Sequence, residues 1–395
     1  MRTILLFCIT VLLCVNIYSK DNTVKNKQKL QKILSNDAVT YLDINNIFTP
    51  VYNNGKSSAS LEYPKGSGNT AVYTEGILWG AFVANDPQVR VGGAEYSSGL
   101  QAGIIKPDGT ADDPALAKYH AFRVRPDVYP GGPDVDLTQD AAYEHSDAAT
   151  LRTQYEKDWN EWPANEGAPY TDVNKDGVYE PGTDIPGVPG ADQTIWYVCN
   201  DMNSSLVNNL LGTAPLGIEL QTTVWAYKLD GALNDTYFKK YKIINKGNQN
   251  YTFDSTFISL WVDTDLGSST DDYCGSDSTL SLIYAYNGYP VDAVYSSPPT
   301  VGFYLIQGPV VSGKSGDTAF VGGRYVPGKK NLSMTASYFF ISGSNGFGDP
   351  PFANVQGANQ FYNFFNGEYG ASGQPFQDPW GNKTKFVFPG DPVTG

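Results

Sequence analysis

An acidic loop between residues 172 and 184 carries the most specific chemical pattern in the sequence. Positions 1, 3 and 5 of this loop are carboxylate or amide side chains, and position 6 is Gly177. The first half of an EF-hand calcium loop has the same spacing, because alternate side chains converge on one ion and the glycine permits a sharp turn. The predicted calcium ligands are Asp172, Asn174, Asp176, the carbonyl of Val178, Glu180 and Asp184.

The second half of this loop departs from the EF-hand pattern. Position 12 is Thr183 instead of an acid, and Asp184 follows one residue later. Glu180 is placed to bind the ion directly or through a water molecule. The alternative interpretation is an acidic surface turn that binds no ion.

A second group of aspartates follows an apolar segment that ends at Val262. Carboxylates that converge after a strand repel one another unless a cation neutralises them. Calcium prefers oxygen ligands and is available outside cells. The group therefore predicts either a second calcium site or a solvated acidic loop. Its candidate ligands are Asp263, Asp265, Asp271 and Asp272.

Catalytic chemistry has little support in the sequence. With two histidines, His120 and His145, a zinc or iron site built from several histidines is not expected. No Gly-x-Ser-x-Gly segment indicates a hydrolase nucleophile. Asp263 and Asp265 fit a glycosidase acid/base pair in principle, but aspartates are too frequent here for that pairing to be specific. We expect no catalysis in this chain and interpret both histidines as surface or packing residues.

Short apolar runs separated by turns must position these loops. The runs alternate in polarity and are bounded by Gly, Pro and Asn, which is typical of strands in a β-sandwich. The sequence thus predicts a mainly β fold of one or more β-sandwiches, with one or two short helices and long Gly/Pro/Asp-rich loops. Strands are predicted at residues 76–83, 89–91, 222–229, 237–245, 251–262, 280–286, 301–307 and 336–341.

Two of these predicted elements can be placed relative to the core. The run over 251–262 is apolar on both faces towards its end, which indicates a central strand. A helix is predicted after a Ser146 cap, with Leu151, Tyr155 and Trp159 on one face. We interpret that aromatic stripe as core packing.

Composition and charge exclude some partners. The 395 residues include 41 acidic and 27 basic side chains, for a net charge of −14. A surface this acidic repels phosphate backbones, so we expect no nucleic-acid partner. Hydrophobic residues make up 41% of the chain, which is enough to bury a core.

The N-terminus reads as a secretory signal peptide over residues 1–19. Arg2 precedes an apolar run over 4–17, and the small residue Ser19 suits cleavage. This run is shorter than the ~20 residues that span a bilayer, so we expect no transmembrane segment after its removal. Cys199 and Cys274 remain in the exported chain, where they either pair or stay separate as buried thiols.

The chain divides into four predicted parts. The signal peptide (1–19) precedes an N-terminal arm (20–60). A β-rich region with the inserted helix and the calcium-type loop follows (61–215). The last part is a β-sandwich region (216–395) that is expected to be truncated at its C-terminus.

Four segments together resemble a group of large secreted bacterial proteins that usually end in a type IX secretion sorting domain. They are Ser60–Ala81, Asp158–Asp201, Phe257–Asp277 and Lys385–Gly395. The acidic loop at 172–184 resembles a partial EF-hand or dockerin-like calcium loop. The resemblance implies export by secretion machinery and no particular reaction. The chain departs from the group because it shows no sorting domain before Gly395.

These observations predict an exported, calcium-stabilised structural or adhesion protein, secreted or at the cell surface. Its expected partners are glycans or other surface proteins. The alternative is the non-catalytic, glycan-binding portion of a larger secreted hydrolase.

Overall fold

The computed structural model describes residues 38–56, 60–84, 86–247, 252–340, 346–378 and 380–388. It confirms the mainly β prediction, with 35% of residues in strands and 15% in helices. The described residues form four α-helices, more than the one or two expected: α1 (Thr138–Tyr143), α2 (Ala148–Asn160), α3 (Ser204–Leu211) and α4 (Val355–Phe365). Short 3-10 helices are at Ala117–Tyr119, Ala164–Glu166 and Gly231–Asp235.

The strands are short and pair in antiparallel sheets. They are β1 (Val39–Leu42), β2 (Thr49–Tyr52), β3 (Leu61–Glu62), β4 (Thr70–Val72), β5 (Thr74–Val83), β6 (Arg90–Gly93), β7 (Gln101–Ala102), β8 (Phe122–Val124), β9 (Tyr170–Thr171), β10 (Ile185–Pro186), β11 (Gln193–Asn200), β12 (Ile218–Ala226), β13 (Tyr237–Asn245), β14 (Phe253–Asp263), β15 (Asp272–Asp277), β16 (Leu282–Asn287), β17 (Thr300–Tyr304), β18 (Val310–Ser312), β19 (Thr318–Val321), β20 (Arg324–Pro327), β21 (Lys329–Asn331), β22 (Phe376–Gln377) and β23 (Lys383–Thr384).

Two sheets form the central sandwich. The first has the order β13–β12–β11, with β7 and β8 both paired to the far side of β11, and the second has the order β14–β5–β6. Side chains alternate across a strand, so β5 directs Ile77 and Trp79 towards the first sheet. There they pack against Ile195, Tyr197 and neighbouring residues of β11 and β12.

The outer faces of both sheets are also covered. Helices α3 and α4 bury Leu78 of the second sheet beneath residues such as Phe361. On the first sheet, Trp196 of β11 packs with Phe122 and Trp162. Strand β11 is therefore buried on both faces, whereas the outer strands β13 and β14 keep exposed residues.

Helix α2 is the helix that the sequence predicted. Its cap is Asp147 instead of Ser146, because the Asp147 carboxylate accepts a hydrogen bond of 2.9 Å from the amide of Thr150. Leu151, Tyr155 and Trp159 are all buried, which confirms their interpretation as core residues.

Two predicted boundaries are wrong. Residues 39–52 form the β1–β2 hairpin rather than an arm, since Leu42 and Val51 lie in the sandwich core. The division at residue 216 separates β11 from β12, yet these strands pair directly along 193–200 and 219–226. The proposed regions 61–215 and 216–395 thus share both central sheets.

Two strand predictions also need correction. The 251–262 segment forms β14 at the edge of its sheet instead of its centre, and Ile258 is 43% exposed. The 336–341 segment forms only a single bridge, from Ser337 to Phe386, over its described residues.

The predicted signal peptide and the first part of the predicted arm, residues 20–37, lie outside the described residues. In the described part of the chain, none of the helices is long and apolar enough to cross a membrane.

Cys199 and Cys274 are free thiols, so a disulfide between them is not formed. Cys199 lies in β11 inside the sandwich core, and Cys274 lies half-buried in β15 of a different sheet. Burial raises the pKa of the Cys199 thiol, which keeps it protonated and inert.

His120 forms a buried ion pair with Asp158. Its Nε2 is 2.8 Å from Asp158 Oδ1, and its Nδ1 is 2.8 Å from the carbonyl oxygen of Ala117. Burial by itself lowers the pKa of His120, but the hydrogen bond and charge of Asp158 outweigh this effect and raise it above its ordinary value. Both ring nitrogens can then donate, which fixes the segment before β8 to α2.

The stability that this pair provides should depend on pH. A histidine whose folded pKa is raised stabilises the fold fully below its unfolded pKa of about 6.5, and this stability is lost as pH rises through the folded pKa. We expect His120→Gln to lower the free energy of unfolding at pH 6 by about 1.5–3 kcal/mol and to flatten its slope at higher pH. Urea unfolding from pH 5.5 to 9 measures this, with His145→Gln as control. A His120→Gln slope equal to that of wild type would contradict it.

Candidate metal centres

Helix α2 and a short ladder hold the 172–184 loop in place. The Tyr179 hydroxyl donates to the carbonyl of Trp159 at 2.6 Å, and the Trp159 indole donates to the carbonyl of Pro181 at 2.9 Å. Strands β9 and β10 pair on either side of the loop and close its base. Hydrogen bonds therefore join the middle of this Pro- and Gly-rich segment to α2, and strand pairing joins its two ends to each other.

Asp172 organises the first half of this loop. One of its carboxylate oxygens accepts from the amide of Lys175 at 2.6 Å, and the other accepts from the amide of Gly177 at 2.9 Å. Gly177 and Lys175 have φ angles of 81° and 63°, a left-handed conformation that a glycine adopts without strain. The turn at position 6 thus has the form that the sequence predicted.

The side chains at positions 3, 5 and 9 lie next to one another. Asn174 Nδ2 donates to Asp176 Oδ2 at 3.0 Å and to Glu180 Oε2 at 2.9 Å. Asp176 Oδ1 accepts from the amide of Val178 at 2.8 Å. The loop therefore brings Asn174, Asp176 and Glu180 together on its exposed side.

Asp184 takes a different position from the other predicted ligands. It is 2% exposed, and its two oxygens accept from the amides of Val173 and Glu180, each at 2.9 Å. These bonds tie the two ends of the loop together. Asp184 consequently stabilises the closed conformation of the loop in this structure.

The donor set of this loop suits calcium, since carboxylate, amide and carbonyl oxygens are the ligands that calcium prefers. As placed, the oxygens accept hydrogen bonds from backbone amides and from Asn174. Within the described ranges, no three Asp, Glu, His or Cys side chains are close enough to hold a metal ion. Calcium binding at this loop would require the side chains of Asp172, Asp176 and Glu180 to move closer together and to give up hydrogen bonds that they now accept.

The aspartates after β14 separate into two groups. Asp263 ends β14 and is 9% exposed, and its Oδ2 has no hydrogen-bond partner. Burial, with the charges of Asp265 and Asp349, raises the pKa of Asp263 to about 7.

Asp272 belongs to the other group. It begins β15 with 0% exposure, and its Oδ2 accepts from the amide of Leu266 at 3.0 Å while its Oδ1 has no partner. Burial, with the charges of Asp271, Asp265 and Asp292, raises the pKa of Asp272 to about 7. Asp265 thus acts electrostatically on both groups.

Three acidic residues of these groups were missed by the sequence analysis: Glu95, Asp292 and Asp349. Glu95 is 1% exposed, its Oε1 has no partner, and burial with the charge of Asp349 raises its pKa to about 8. Asp292 accepts three backbone amides, which outweigh burial and lower its pKa. All three are distant in sequence from Asp263, so no local spacing signals them.

Comparison of the chain with protein-family models, with curated proteins and with solved structures gave no match. The resemblance to secreted proteins with a sorting domain therefore stays a prediction.

Proposed function

We propose that the mature chain is an exported, calcium-stabilised protein of the cell surface or the extracellular medium, with a structural or adhesive role and no catalysis of its own. The observation that carries this proposal is the 172–184 loop. Its EF-hand spacing is combined with a defined turn at Gly177 and with adjacent oxygen donors at Asn174, Asp176 and Glu180.

Calcium would act at this loop by neutralising its carboxylates. Asp172, Asp176 and Glu180 are three of the 41 acidic side chains that give the chain its net charge of −14. An ion that binds only the folded state raises stability by RT ln(1 + [L]/Kd). The same ion would stiffen the connection between α2 and β11, which lies next to the sandwich core.

The absence of catalysis in the proposal is supported by the environment of His120. This histidine is 4% exposed, and both of its ring nitrogens are hydrogen-bonded to Asp158 and Ala117. A general base needs a free ring nitrogen within reach of a substrate. His120 therefore has a structural role in the fold.

The proposal predicts that cells export the protein and remove its leader. Mass spectrometry of the culture medium and the cell-surface fraction should find a mature N-terminus near Lys20, since Arg2, the apolar run and Ser19 form a signal-peptide pattern. An Arg2→Glu variant should accumulate inside the cell. An intact Met1 terminus on wild-type protein in the cytoplasm would contradict export.

A further inference from the structure

One face of the sheet β15–β16–β17 carries a group of tyrosines. Tyr273 pairs directly with Tyr286, and Tyr284 is paired with Gly275 on one side and Gly302 on the other. Directly opposed residues in antiparallel strands lie on the same face of a sheet. The following residues, which we call the tyrosine platform, therefore share one face: Tyr273, Tyr284, Tyr286 and Tyr304.

This face points away from the core. Ala285, on the opposite face of β16, is 3% exposed and belongs to a buried cluster that includes Leu61 and Leu266. Val301 and Phe303 of β17 pack against the same cluster. Tyr304 on the platform face is 58% exposed, and the other three platform tyrosines are half-buried.

The platform rings pack against one another. The ring centroids of Tyr273 and Tyr286 are 5.8 Å apart with an interplanar angle of 27°, and those of Tyr284 and Tyr286 are 6.1 Å apart with an angle of 36°. Glycines make room for them, because a Cβ atom at Gly275 would collide with the ring of Tyr284 and one at Gly288 with the ring of Tyr273. Three of the platform tyrosines, Tyr273, Tyr284 and Tyr286, therefore form a contiguous row of rings on this face.

We propose that the tyrosine platform binds a neutral polysaccharide by stacking pyranose rings on its tyrosines. The inference rests on the proposed extracellular role and names the ligand class for adhesion. Sugar rings present faces of C–H groups, which pack against the faces of aromatic rings. Nearly parallel rings do not enclose a cation from several sides as an aromatic cage does.

Charge narrows the ligand class further. Among the paired positions on this face, Asp277 is the charged one, and hydrogen bonds from Thr279 and the amide of Leu280 lower its pKa so that it is ionised. With a net charge of −14 on the chain, a polyanion would be repelled. A neutral polymer pays no such electrostatic penalty, and its hydroxyl groups can donate to Asp277.

The test uses the mature chain, residues 20–395, with 5 mM calcium present as an order-of-magnitude extracellular level. Insoluble cellulose and chitin serve in pull-down assays, and soluble xylan and galactomannan serve in affinity electrophoresis. Alginate and poly-lysine are the charged probes. The test variants are Tyr286→Ala and Gly275→Ala, the latter retaining every tyrosine. The controls are Tyr286→Phe and Tyr325→Ala, which removes a 77% exposed tyrosine outside the platform.

We expect binding of at least one neutral polysaccharide, weakened about tenfold by Tyr286→Ala and by Gly275→Ala. Tyr286→Phe and Tyr325→Ala should bind like wild type. Circular dichroism identifies any variant that fails to fold, and Tyr304→Ala, at the exposed rim, then replaces it. The inference is overturned if wild type binds none of the neutral polymers, if it binds only poly-lysine or alginate, or if folded platform variants bind unchanged. Calcium-independent melting with polysaccharide binding intact would overturn the proposed function and leave this inference standing.

Discussion

Replacing Arg123 by methionine is expected to lower the free energy of unfolding by about 3–5 kcal/mol. The Arg123 guanidinium donates to both carboxylate oxygens of Glu144 at 2.6 and 3.0 Å and to the carbonyl of Tyr41 at 3.0 Å. It also lies 4.7 Å from the ring centroid of Tyr155. The two charged side chains are 3% and 8% exposed, so removal of Arg123 leaves the Glu144 charge buried without its partner.

Urea unfolding at pH 7 measures this loss, and two variants define its origin. In the double variant Arg123→Met/Glu144→Gln, the loss should be smaller because the Glu144 charge is removed together with its partner. Arg152→Met breaks an ion pair with Asp134, which is fully exposed, and should lower the free energy of unfolding far less than Arg123→Met. A loss for Arg123→Met no larger than that for Arg152→Met would refute a structural role of the buried pair.

Glu95→Gln is expected to stabilise the protein at alkaline pH in the presence of EDTA. The pKa of Glu95 is raised to about 8 by burial and by Asp349, against an ordinary value of 4.5. Between these pH values the folded state binds a proton that the unfolded state has released, so stability falls as pH rises. One unit of pKa corresponds to about 1.4 kcal/mol, and we expect a gain of about 2–4 kcal/mol at pH 9. Glutamine removes the titration and with it this loss.

Thermal and urea unfolding are measured at pH 4.5, 6, 8 and 9 in EDTA. The stabilities of wild type and Glu95→Gln should diverge as the pH rises. Below pH 4.5, Glu95 is protonated in both states, so wild type and Glu95→Gln should be similar there. Glu161→Gln removes one exposed carboxylate and should follow wild type throughout. Parallel pH profiles for wild type and Glu95→Gln would show that Glu95 does not titrate as its burial implies.

The first acidic loop could be predicted from sequence because its pattern is local. Asp172 and Gly177 are five residues apart, so spacing alone implies the turn that Asp172 stabilises through the Gly177 amide. The sequence places Asp184 in the loop but does not predict that it joins the two ends of the loop. Its bonds to Val173 and Glu180 depend on how β9 and β10 close the base.

The second acidic group could not be predicted in full because it depends on tertiary contacts between residues that are far apart in sequence. Glu95 follows β6 and Asp349 precedes α4, and folding brings Asp349 close enough to Glu95 and to Asp263 for its charge to raise the pKa of both. Glu95 and Asp349 are more than 80 residues from Asp263 in either direction. The spacing that grouped Asp263 with Asp272 therefore combined residues that the fold places in two neighbouring environments.

Parts of the fold were also not predicted from the sequence. The apolar pattern of 251–262 was interpreted as a central strand, but Trp261 is buried against the helices that cover the sheet, and β14 remains an edge strand. Helix α4 was missed, although Asn354 caps it by accepting from the amide of Gly357 at 2.8 Å. Its buried Phe361 and Phe364 lie three residues apart, which is a helical spacing that could have predicted α4 from the sequence.

Calcium binding at the 172–184 loop is the most direct test of the proposed function. The measurement is a thermal melt of the mature chain in calcium and in EDTA, with isothermal titration calorimetry, for wild type, Asp176→Ala and the exposed control Asp134→Ala. Calcium at about a hundredfold excess over Kd should stabilise wild type by about 2.7 kcal/mol. It should stabilise Asp134→Ala equally and have no effect on Asp176→Ala. Equal melting temperatures of wild type in calcium and EDTA, with no heat of calcium binding, would contradict the account.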